Sequence, residues 1–399
     1  THMAWEMHPK KLQNAFFSAE LEIIKFMKKR EKIAHLTTVH SRSDTRIFEK
    51  ETSSLASAGF ETFLLVGDKI KSTSKNNVSI LNIGPPPRHR MLRMIKQPLR
   101  IFRTALRIDA NLYHIHDPEL IPVGILLKKF GKTVVYDAHE DTPRDILSKS
   151  WISPILRNLI SKIFEVIEDN ASKKFDAVVC ATPHINKRFS KTAKLSVIIN
   201  NYPLEKELVA PPDLYHRDPR TICYIGTIEK IRGIFEIINA LEFLDVKLIL
   251  AGPFDSPETE TTARNLLGWS KVDYRGTVDR STVREIMANS SVGLVLLHPA
   301  PNHINAQPNK MFEYMSASLP VVGSNFPLWQ DIIEKENAGI CVDPLNPAAI
   351  AAAIKKIIDN PSLVQAMGSA GYHAVQNKYT WRSESIKLIQ LYETLLLNN

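Results

Sequence analysis

The sequence predicts an α/β protein built from two doubly wound, Rossmann-like domains that face a central cleft. Short apolar runs of strand length alternate with helical segments, as expected for a parallel sheet covered by helices on both faces. This alternation occurs twice, and a segment at 201–220 that is rich in proline and charge separates the two series. A length of 399 residues also suits two domains better than one.

The first series predicts a domain over residues 1–205, followed by a linker at 206–219. A helix is predicted at 9–30, where apolar side chains recur at helical spacing before a basic end. The strands are predicted at 32–37, 61–66, 111–115, 133–137, 177–181 and 197–200, and the further helices at 47–58, 119–130 and about 152–173.

The second series predicts a domain over residues 220–377 and a helix over 378–399 that packs back towards the first domain. The strands are predicted at 221–225, 247–251, 272–274 and 292–297, with another starting at 319–322. The helices are predicted at 233–241, 282–288, 348–359, 361–376 and 381–397, and one more begins at Pro308. In such folds the ligand binds outside the carboxyl ends of the strands.

Composition indicates a globular enzyme of the cytoplasm. Hydrophobic residues make up 44% and charged residues 23% of the chain. No apolar run approaches the ~18 residues that a membrane span needs, and we find no signal-peptide pattern. The three cysteines are far apart and form no CxxC pair, so we expect no metal and no cofactor.

The net charge of +9 is unevenly distributed. Residues 1–200 hold 33 Lys and Arg against 20 Asp and Glu, whereas residues 201–399 hold 18 against 22. A basic half joined to a mildly acidic half predicts an anionic partner for the first half.

The segment NAQPNKMFEYMSASLPVVGS at 305–324 reads as a loop, a helix and a buried strand. Lys310 and Glu313 share one face near the start of this helix. The free N–H groups and the dipole at a helix N-terminus attract phosphate, so the pair fits a ligand with a diphosphate and a vicinal diol. An ordinary surface Glu–Lys pair fits the pattern about equally well.

Further motifs extend this pattern to a known family. YIGTIEKIRGIFEIINAL at 224–241 and the 305–324 segment resemble the C-terminal domain of retaining glycosyltransferases of the GT-B fold, family 4. HSRSDTRIFEKETSSLASAGFE, YHIHDPELIP and YDAHED in the first half resemble variants seen in enzymes that build bacterial surface polysaccharides. The resemblance covers nearly the whole chain after about residue 32.

The resemblance implies a set of donor-binding residues in the second domain. Glu313 matches a glutamate that accepts from ribose hydroxyls, and Asn305 replaces a second family glutamate near the sugar. Arg232 matches a family cation, whereas Thr227 replaces another, for which Lys230 can substitute. The complete set of implied donor residues is Gly226, Thr227, Lys230, Arg232, Gly276, Val278, Asn309, Lys310 and Glu313. A solvated basic loop at 226–233 and a plain turn at 275–278 are the alternatives.

In the first domain, the resemblance implies that His139 lies close to the transferred sugar. His139, Asn305 and Arg232 are therefore the expected catalytic residues, although a histidine at a strand end is often only structural. On the acceptor side we expect Asp44, Arg46 and His116, with an Asp44–Arg46 ion pair as the alternative. Asp117 is expected to cap the helix at 119–130.

Residues 88–107 form a basic and apolar stretch without an acidic residue. Arg93, Lys96, Arg100 and Arg103 alternate there with apolar side chains, a pattern that predicts a helix lying on an anionic membrane. A packed helix with a basic solvent face is the alternative. The aromatic pattern of RNA-binding modules is absent, and we expect no nucleic-acid partner.

Taken together, the expected activity is a retaining, metal-independent transfer of a sugar from a UDP-sugar to a lipid-linked saccharide at the inner membrane face. A UDP-sugar 2-epimerase of the same architecture is an alternative, which an epimerised product without acceptor would indicate. A non-catalytic nucleotide-sugar-binding scaffold is another, supported by the absent glutamate at Asn305.

Overall fold

A computed structural model describes residues 31–149, 152–204 and 217–397. These residues fall into two compact units. The first is drawn from Thr1–Thr142, Lys162–Ile199 and Ser385–Asn399, and the second from Pro143–Ser161 and Asn200–Glu384. The units therefore depart from two contiguous domains, because 143–161 belongs with the second unit and the end of the C-terminal helix belongs with the first.

The first unit contains an eight-stranded sheet. Its strands are β1 (Lys32–Leu36), β2 (Glu61–Val66), β3 (Thr73–Lys75), β4 (Val78–Asn82), β5 (Leu112–Ile115), β6 (Thr133–Ala138), β7 (Ala177–Cys180) and β8 (Ser196–Ile198). The strand order is β3-β4-β2-β1-β5-β6-β7-β8. Every pairing is parallel except that of β3 with β4.

The helices that follow these strands begin with a π-helical segment. They are α1 (Thr45–Thr52, π-helical), α2 (Ser53–Ser57), α3 (Arg90–Ile108), α4 (Ile121–Lys129), α5 (Thr142–Ser148), α6 (Pro154–Ser172) and α7 (Pro183–Phe189). The Asp44 carboxylate accepts from the amides of Arg46 and Ile47 and so caps α1.

The second unit contains a six-stranded parallel sheet of order β11-β10-β9-β12-β13-β14. Its strands are β9 (Thr221–Ile225), β10 (Lys247–Ala251), β11 (Val272–Gly276), β12 (Val292–Val295), β13 (Val321–Ser324) and β14 (Gly339–Val342). The helices are α8 (Ile234–Ala240), α9 (Pro257–Arg264), α10 (Arg280–Asn289), α11 (Asn309–Ser316), α12 (Pro327–Ile333), α13 (Pro347–Ile358) and α14 (Pro361–Lys378). The last helix, α15 (Trp381–Leu397), begins in this unit, whereas its residues from Ser385 onward belong to the first unit.

The predicted fold class of two doubly wound, Rossmann-like sheets is confirmed. The bounds of β9 and β10 were predicted correctly, because these mostly buried parallel strands are almost continuously apolar. Among the missed elements is the β3–β4 hairpin, whose first strand is wholly exposed. Its signal was the pair Asn76-Asn77, and both residues have positive φ, as a tight hairpin turn requires.

Two further predictions need comment. The proposed first helical residue Pro308 instead precedes α11, because its ψ of 130° is extended, and α11 begins at Asn309. The predicted helix at 9–30 and most of the predicted linker at 206–219 lie outside the described residues.

Among the helices of the described residues, none combines the length and apolar character needed to cross a membrane. All three cysteines are free, and Cys180 and Cys223 are buried in the two cores.

Candidate functional site

Three glycines meet at the carboxyl ends of β9, β10 and β11. The amide of Gly226 donates to the Ala251 carbonyl (2.8 Å), and the amide of Gly252 donates to the Gly276 carbonyl (2.7 Å). A Cβ on Gly252 would lie 2.0 Å from the Gly226 carbonyl oxygen, so a side chain does not fit. Glycine is therefore required at 252 by the close approach of two backbone segments. Sequence reasoning missed Gly252, although an Ala-Gly-Pro after a buried strand was a usable signal.

Lys310 lies directly beneath this edge. A Cβ on Gly226 would come within 3.0 Å of the Lys310 Nζ, which lies 3.9 Å from the centroid of the Tyr224 ring. Nζ is buried and has no hydrogen-bond partner among the described residues. Burial, and then the charge of Arg232, lowers the pKa of Lys310 from 10.5 to about 7. An unpaired ammonium in such a place is costly unless an anion joins it.

Glu313 lies on the next turn of α11. Two guanidinium nitrogens of Arg280 donate to the same carboxylate oxygen, Oε1, at 3.1 and 3.0 Å. The Glu313 side chain is 18% exposed, so the carboxylate is held in place but is still reachable. Lys310 and Glu313 thus lie at one end of the sheet, as predicted, and Arg280 was not predicted.

The loop after β9 carries the other predicted cations. Lys230 and Arg232 occupy a short 3₁₀-helix that ends at Gly233, where φ is +72°. Lys230 is exposed, and Arg232 pairs with Glu229 at 3.3 Å. The Thr227 carbonyl accepts from the Tyr224 hydroxyl, which fixes the start of the loop.

The remaining predicted donor residues have different surroundings. Asn309 is the first residue of α11, where amide groups have no acceptor within the helix. Asn305 lies in the preceding turn and is partly buried. Gly276 faces open space, whereas Val278 packs against the apolar core of the second unit. The pair Glu236 and His298, whose side chains are 3.1 Å apart, was not predicted. It lies close to the loop after β9, because the His298 amide donates to the Ile231 carbonyl in that loop.

In the first unit, the strand ends carry a closed ion pair. Arg46 donates to both oxygens of Asp137, each at 2.9 Å, and to the Ile199 carbonyl at 3.1 Å. Burial opposes ionisation of Asp137, but the guanidinium of Arg46 and the hydrogen bond from His116 hold its pKa well below the usual range. The pair is therefore charged on both sides although it is enclosed.

Two acceptor-side predictions are corrected by this burial. Arg46 is 5% exposed and His116 is fully buried, so neither offers an atom to a bound acceptor. The suggested Asp44–Arg46 ion pair is also replaced: Asp44 caps α1, and Arg46 pairs with Asp137. Asp137 had been read only as the end of a strand.

His139 follows β6, and its side chain is 17% exposed. Burial lowers the pKa of His139 to about 4, against the opposing charge of Asp137, so the imidazole is neutral near pH 7. Its Nδ1 is buried without a hydrogen-bond partner among the described residues. A neutral imidazole of this kind can still donate or accept one hydrogen bond.

His40 packs edge-on against His139, with ring centroids 5.0 Å apart. Its ring nitrogens lie 3.2 Å from Asp44 and 3.4 Å from Asp117. Burial disfavours the charged ring, but the hydrogen bond to Asp44 and the charge of Asp117 outweigh it, so the pKa of His40 is raised. His40 was not predicted as a site residue, although the histidine in HSRSD was a signal.

Asp117 does not cap the following helix through its side chain, contrary to expectation. Its Oδ2 accepts from the Thr38 amide (2.6 Å) and the Thr37 hydroxyl (2.9 Å). Asp117 therefore holds the loop after β1.

Helix α3 carries the basic stretch. Lys96 and Arg103 are exposed, Arg93 is partly buried, and Arg100 donates to the Pro85 carbonyl at 3.0 Å. The exposed apolar side chains on this helix are Leu92, Met94, Ile95 and Leu99, each 45–59% exposed. The outer face of α3 is thus both basic and apolar.

Comparison with known proteins shows what this arrangement is similar to. The family described as Glycosyl transferases group 1 matches residues 206–374. This range includes helix α11 and the glycine edge, which is formed by Gly226, Gly252 and Gly276. Over 309 residues the chain is 24% identical to the phosphatidyl-myo-inositol mannosyltransferase of Mycobacterium leprae, a match that spans 74% of this chain and 76% of that protein.

Two solved structures show the same fold. Sucrose-phosphate synthase from Thermosynechococcus elongatus superimposes with a TM-score of 0.75 and 16% identity, over 93% of this chain and 100% of that one. HepE from Anabaena in complex with UDP gives a TM-score of 0.69 and 14% identity, over 91% and 100%. The protein therefore has the GT-B fold, and these findings together support a glycosyltransferase.

Arg46→Met should lower the free energy of unfolding by about 3–5 kcal/mol, because it leaves the enclosed Asp137 carboxylate without its cation. The matched control is Lys335→Met, which breaks the exposed pair with Asp331 and should cost less than about 1 kcal/mol. Chemical denaturation of both variants measures the difference. Equal losses would contradict the importance assigned to the Arg46–Asp137 pair.

Proposed function

We propose that this protein is a nucleotide-sugar-dependent glycosyltransferase whose donor, a UDP-sugar, binds the second unit. The observation that carries the proposal is the buried Nζ of Lys310, which lies beside Gly226 and has no hydrogen-bond partner among the described residues. A donor diphosphate at the glycine edge would supply the missing anion. Arg232 and the amides at the start of α11 would add to the binding of the phosphates.

Glu313 would bind the ribose. A carboxylate oxygen accepts hydrogen bonds from two vicinal hydroxyls with good geometry, and Arg280 already fixes the orientation of this carboxylate. Asn305 would hydrogen-bond a sugar hydroxyl, because its amide has both a donor and an acceptor but no charge. The backbone at Gly276 and Val278 would border the base, and Thr227, Lys230 and Asn309 would line the phosphate region.

The mechanism we propose retains the anomeric configuration and needs no metal for sugar transfer. Negative charge grows on the diphosphate as the glycosidic bond breaks, and Lys310 and Arg232 would stabilise that charge. His139, in the first unit, would donate a hydrogen bond to the sugar. Burial keeps the imidazole neutral near pH 7, and a neutral imidazole carries one N–H that can serve as this donor.

The acceptor, in this proposal, is a lipid-linked saccharide used in surface polysaccharide assembly and reached from the inner face of the membrane. Of the predicted acceptor-side residues, Asp44 is the one that is partly exposed, with 25% of its side chain accessible. Support for the membrane comes from the basic and apolar outer face of α3. The name of the mycobacterial relative, which indicates a lipid acceptor, is consistent with this.

Glu313→Gln should weaken UDP binding roughly 10- to 100-fold, because hydrogen bonds to a charged group contribute about 1.5–3 kcal/mol. Isothermal titration with UDP and with 2′,3′-dideoxy-UDP measures the effect. Wild type should prefer UDP strongly, and the variant should bind both about equally. The control Glu285→Gln removes the same charge from an exposed position on α10. If Glu313→Gln kept its preference for UDP, the ribose assignment would be wrong.

UDP affinity should fall as pH rises from about 7.5 to 9. The pKa of Lys310 is lowered to about 7 in the free protein, so the lysine is mostly neutral in this window. Binding of the diphosphate raises that pKa and takes up a proton, which costs up to about tenfold in affinity per pH unit. The terminal phosphate, with a pKa of roughly 6, is already ionised there. Lys310→Met should bind weakly and without this pH dependence; a wild-type affinity that is flat across the window would contradict the assignment.

Replacing Arg93, Lys96 and Arg100 with Gln should reduce binding to vesicles that contain anionic lipid. Each cation near such a surface contributes about 1 kcal/mol. Vesicle co-sedimentation measures the change, and turnover on a detergent-soluble acceptor should persist. The control replaces Lys335, Lys355 and Lys356, three exposed cations of the second unit, with Gln. Equal vesicle binding by both triple variants would reject the membrane assignment.

A further inference from the structure

Four metal-ligating side chains converge inside the first unit. They are His35 on β1, Glu51 near the end of α1, His114 on β5 and His116 directly after β5, and all four are fully buried. One nitrogen or oxygen atom from each lies within 4.8 Å of the others. The register explains the grouping: His35 pairs with His114 across the two strands, and His116 lies two residues further on the same face.

The distances are close to those of a tetrahedral site. Glu51 Oε2 lies 3.7 Å from His35 Nδ1, 3.8 Å from His114 Nδ1 and 3.8 Å from His116 Nε2. His35 Nδ1 and His116 Nε2 are 2.8 Å apart. Ligand atoms around a tetrahedral zinc ion with bonds of about 2.0–2.1 Å are roughly 3.3 Å apart. The three contacts of Glu51 and the His35–His116 contact each differ from that separation by about 0.4–0.5 Å, so metal binding would require side-chain adjustments of at least this size.

Hydrogen bonds among the histidines do not satisfy Glu51. His116 Nδ1 donates to Asp137, so its Nε2 must accept from His35 Nδ1. His35 Nε2 then accepts from the Tyr392 hydroxyl, which in turn accepts from His114 Nδ1. Every imidazole proton is used in this chain, and Glu51 Oε2 is left buried with no donor at hydrogen-bond distance among the described residues. A cation at the centre of the four side chains removes that defect.

Two of the three histidines have, on the second ring nitrogen, a partner of the kind found at protein zinc sites. With His116 ligating through Nε2, its Nδ1–H donates to the Asp137 carboxylate at 3.1 Å. With His35 ligating through Nδ1, its Nε2 lies 3.2 Å from the Tyr392 hydroxyl. Metal-bound histidines usually have such a partner on the second nitrogen, which fixes the tautomer and the ring. His114 would exchange the contact of its Nδ1 with the Tyr392 hydroxyl (2.7 Å) for the metal, and its Nε2 has no hydrogen-bond partner among the described residues.

The charge of the cluster also favours a cation. Glu51 and Asp137 are acids, Arg46 is the one guanidinium that contacts both, and the three imidazoles are ligands in their neutral form. With Glu51 ionised as a ligand, the enclosed groups would carry a net negative charge, which the metal ion would offset. Arg46 contacts Glu51 Oε1 at 3.1 Å, whereas Oε2 faces the three histidines, so the two cations would not compete for one oxygen.

We propose that His35, Glu51, His114 and His116 bind one structural Zn²⁺. Three imidazole nitrogens and one carboxylate oxygen suit zinc, which prefers four ligands of this kind when it is held for stability. The ion would join β1, β5 and α1 beneath His139 and would take no part in sugar transfer. This proposal departs from the sequence-based expectation of no metal. His35, Glu51 and the pair His114 and His116 come from three separate segments of the chain, so no short ligand spacing marks the site.

The experiment uses the full chain, free of any affinity tag. Elemental analysis should find about one zinc per chain. Removal of zinc with a strong chelator should lower the Tm, and zinc, but not magnesium or calcium, should restore it. Cobalt added to the stripped protein should give the visible absorption of a tetrahedral ion. UDP binding to the second unit should be unchanged. Failure of the zinc proposal can therefore be distinguished from failure of the proposed function.

Glu51→Gln should lose the zinc, whereas the control His184→Gln, at a half-exposed position, should retain it. If Glu51→Gln does not fold, the addition of zinc to the stripped wild-type protein, with the Tm as the measured quantity, still tests the proposal. Less than about one zinc per ten chains, with no rise in Tm on zinc addition, would overturn the proposal. The hydrogen-bonded cluster with a protonated Glu51 would then be the correct description.

Discussion

The structure of this protein depends on charged side chains that are buried at the carboxyl ends of parallel strands. Parallel strands end at one edge of a sheet, so polar side chains that follow different strands are gathered there. Once gathered and buried, each charge needs a partner, because an isolated buried ion is unstable by several kcal/mol. The arrangement of both units at these edges follows from how that requirement is met.

The two units meet it differently. In the first, Asp137 is satisfied by Arg46 and His116, and the network is closed to solvent. In the second, Lys310 is buried beneath a glycine edge with only the face of Tyr224 against it. The first arrangement is typical of a rigid scaffold. The second is typical of a binding site that receives its counter-charge from a ligand, and this contrast underlies the assignment of the donor to the second unit.

The sequence predicted the fold because its signals were local. Mostly buried strands such as β9, β10 and β6 are apolar runs of the right length, and Pro or Gly residues mark the ends of several helices. The donor residues Lys310 and Glu313 were predicted from three-residue spacing on one helix. The β3–β4 hairpin was missed because its strands are short and partly polar, so their pattern does not differ from that of a loop.

The site predictions failed where partners come from distant parts of the chain. Arg46 and His116 are residue types that can bind an acceptor. In the structure both are buried and hydrogen-bonded to Asp137, which is remote from Arg46 in sequence. Asp117 precedes a proline and a helix, as a capping residue does. Its carboxylate instead accepts hydrogen bonds from the loop after β1. Gly252 and Arg280 were not predicted, because their roles depend on the backbone of Gly226 and on the carboxylate of Glu313.

The sequence alone determined the two-sheet α/β architecture, the basic character of the first half and the helix start that carries Lys310 and Glu313. These follow from periodicity, composition and short spacings, which are properties of neighbouring residues. Only the tertiary structure decided which charges are paired and which are not. It closed Arg46 onto Asp137, left Lys310 without an anion and brought three histidines from two segments of the chain around Glu51. Burial and partnership depend on contacts between residues far apart in the chain, and no local pattern records them.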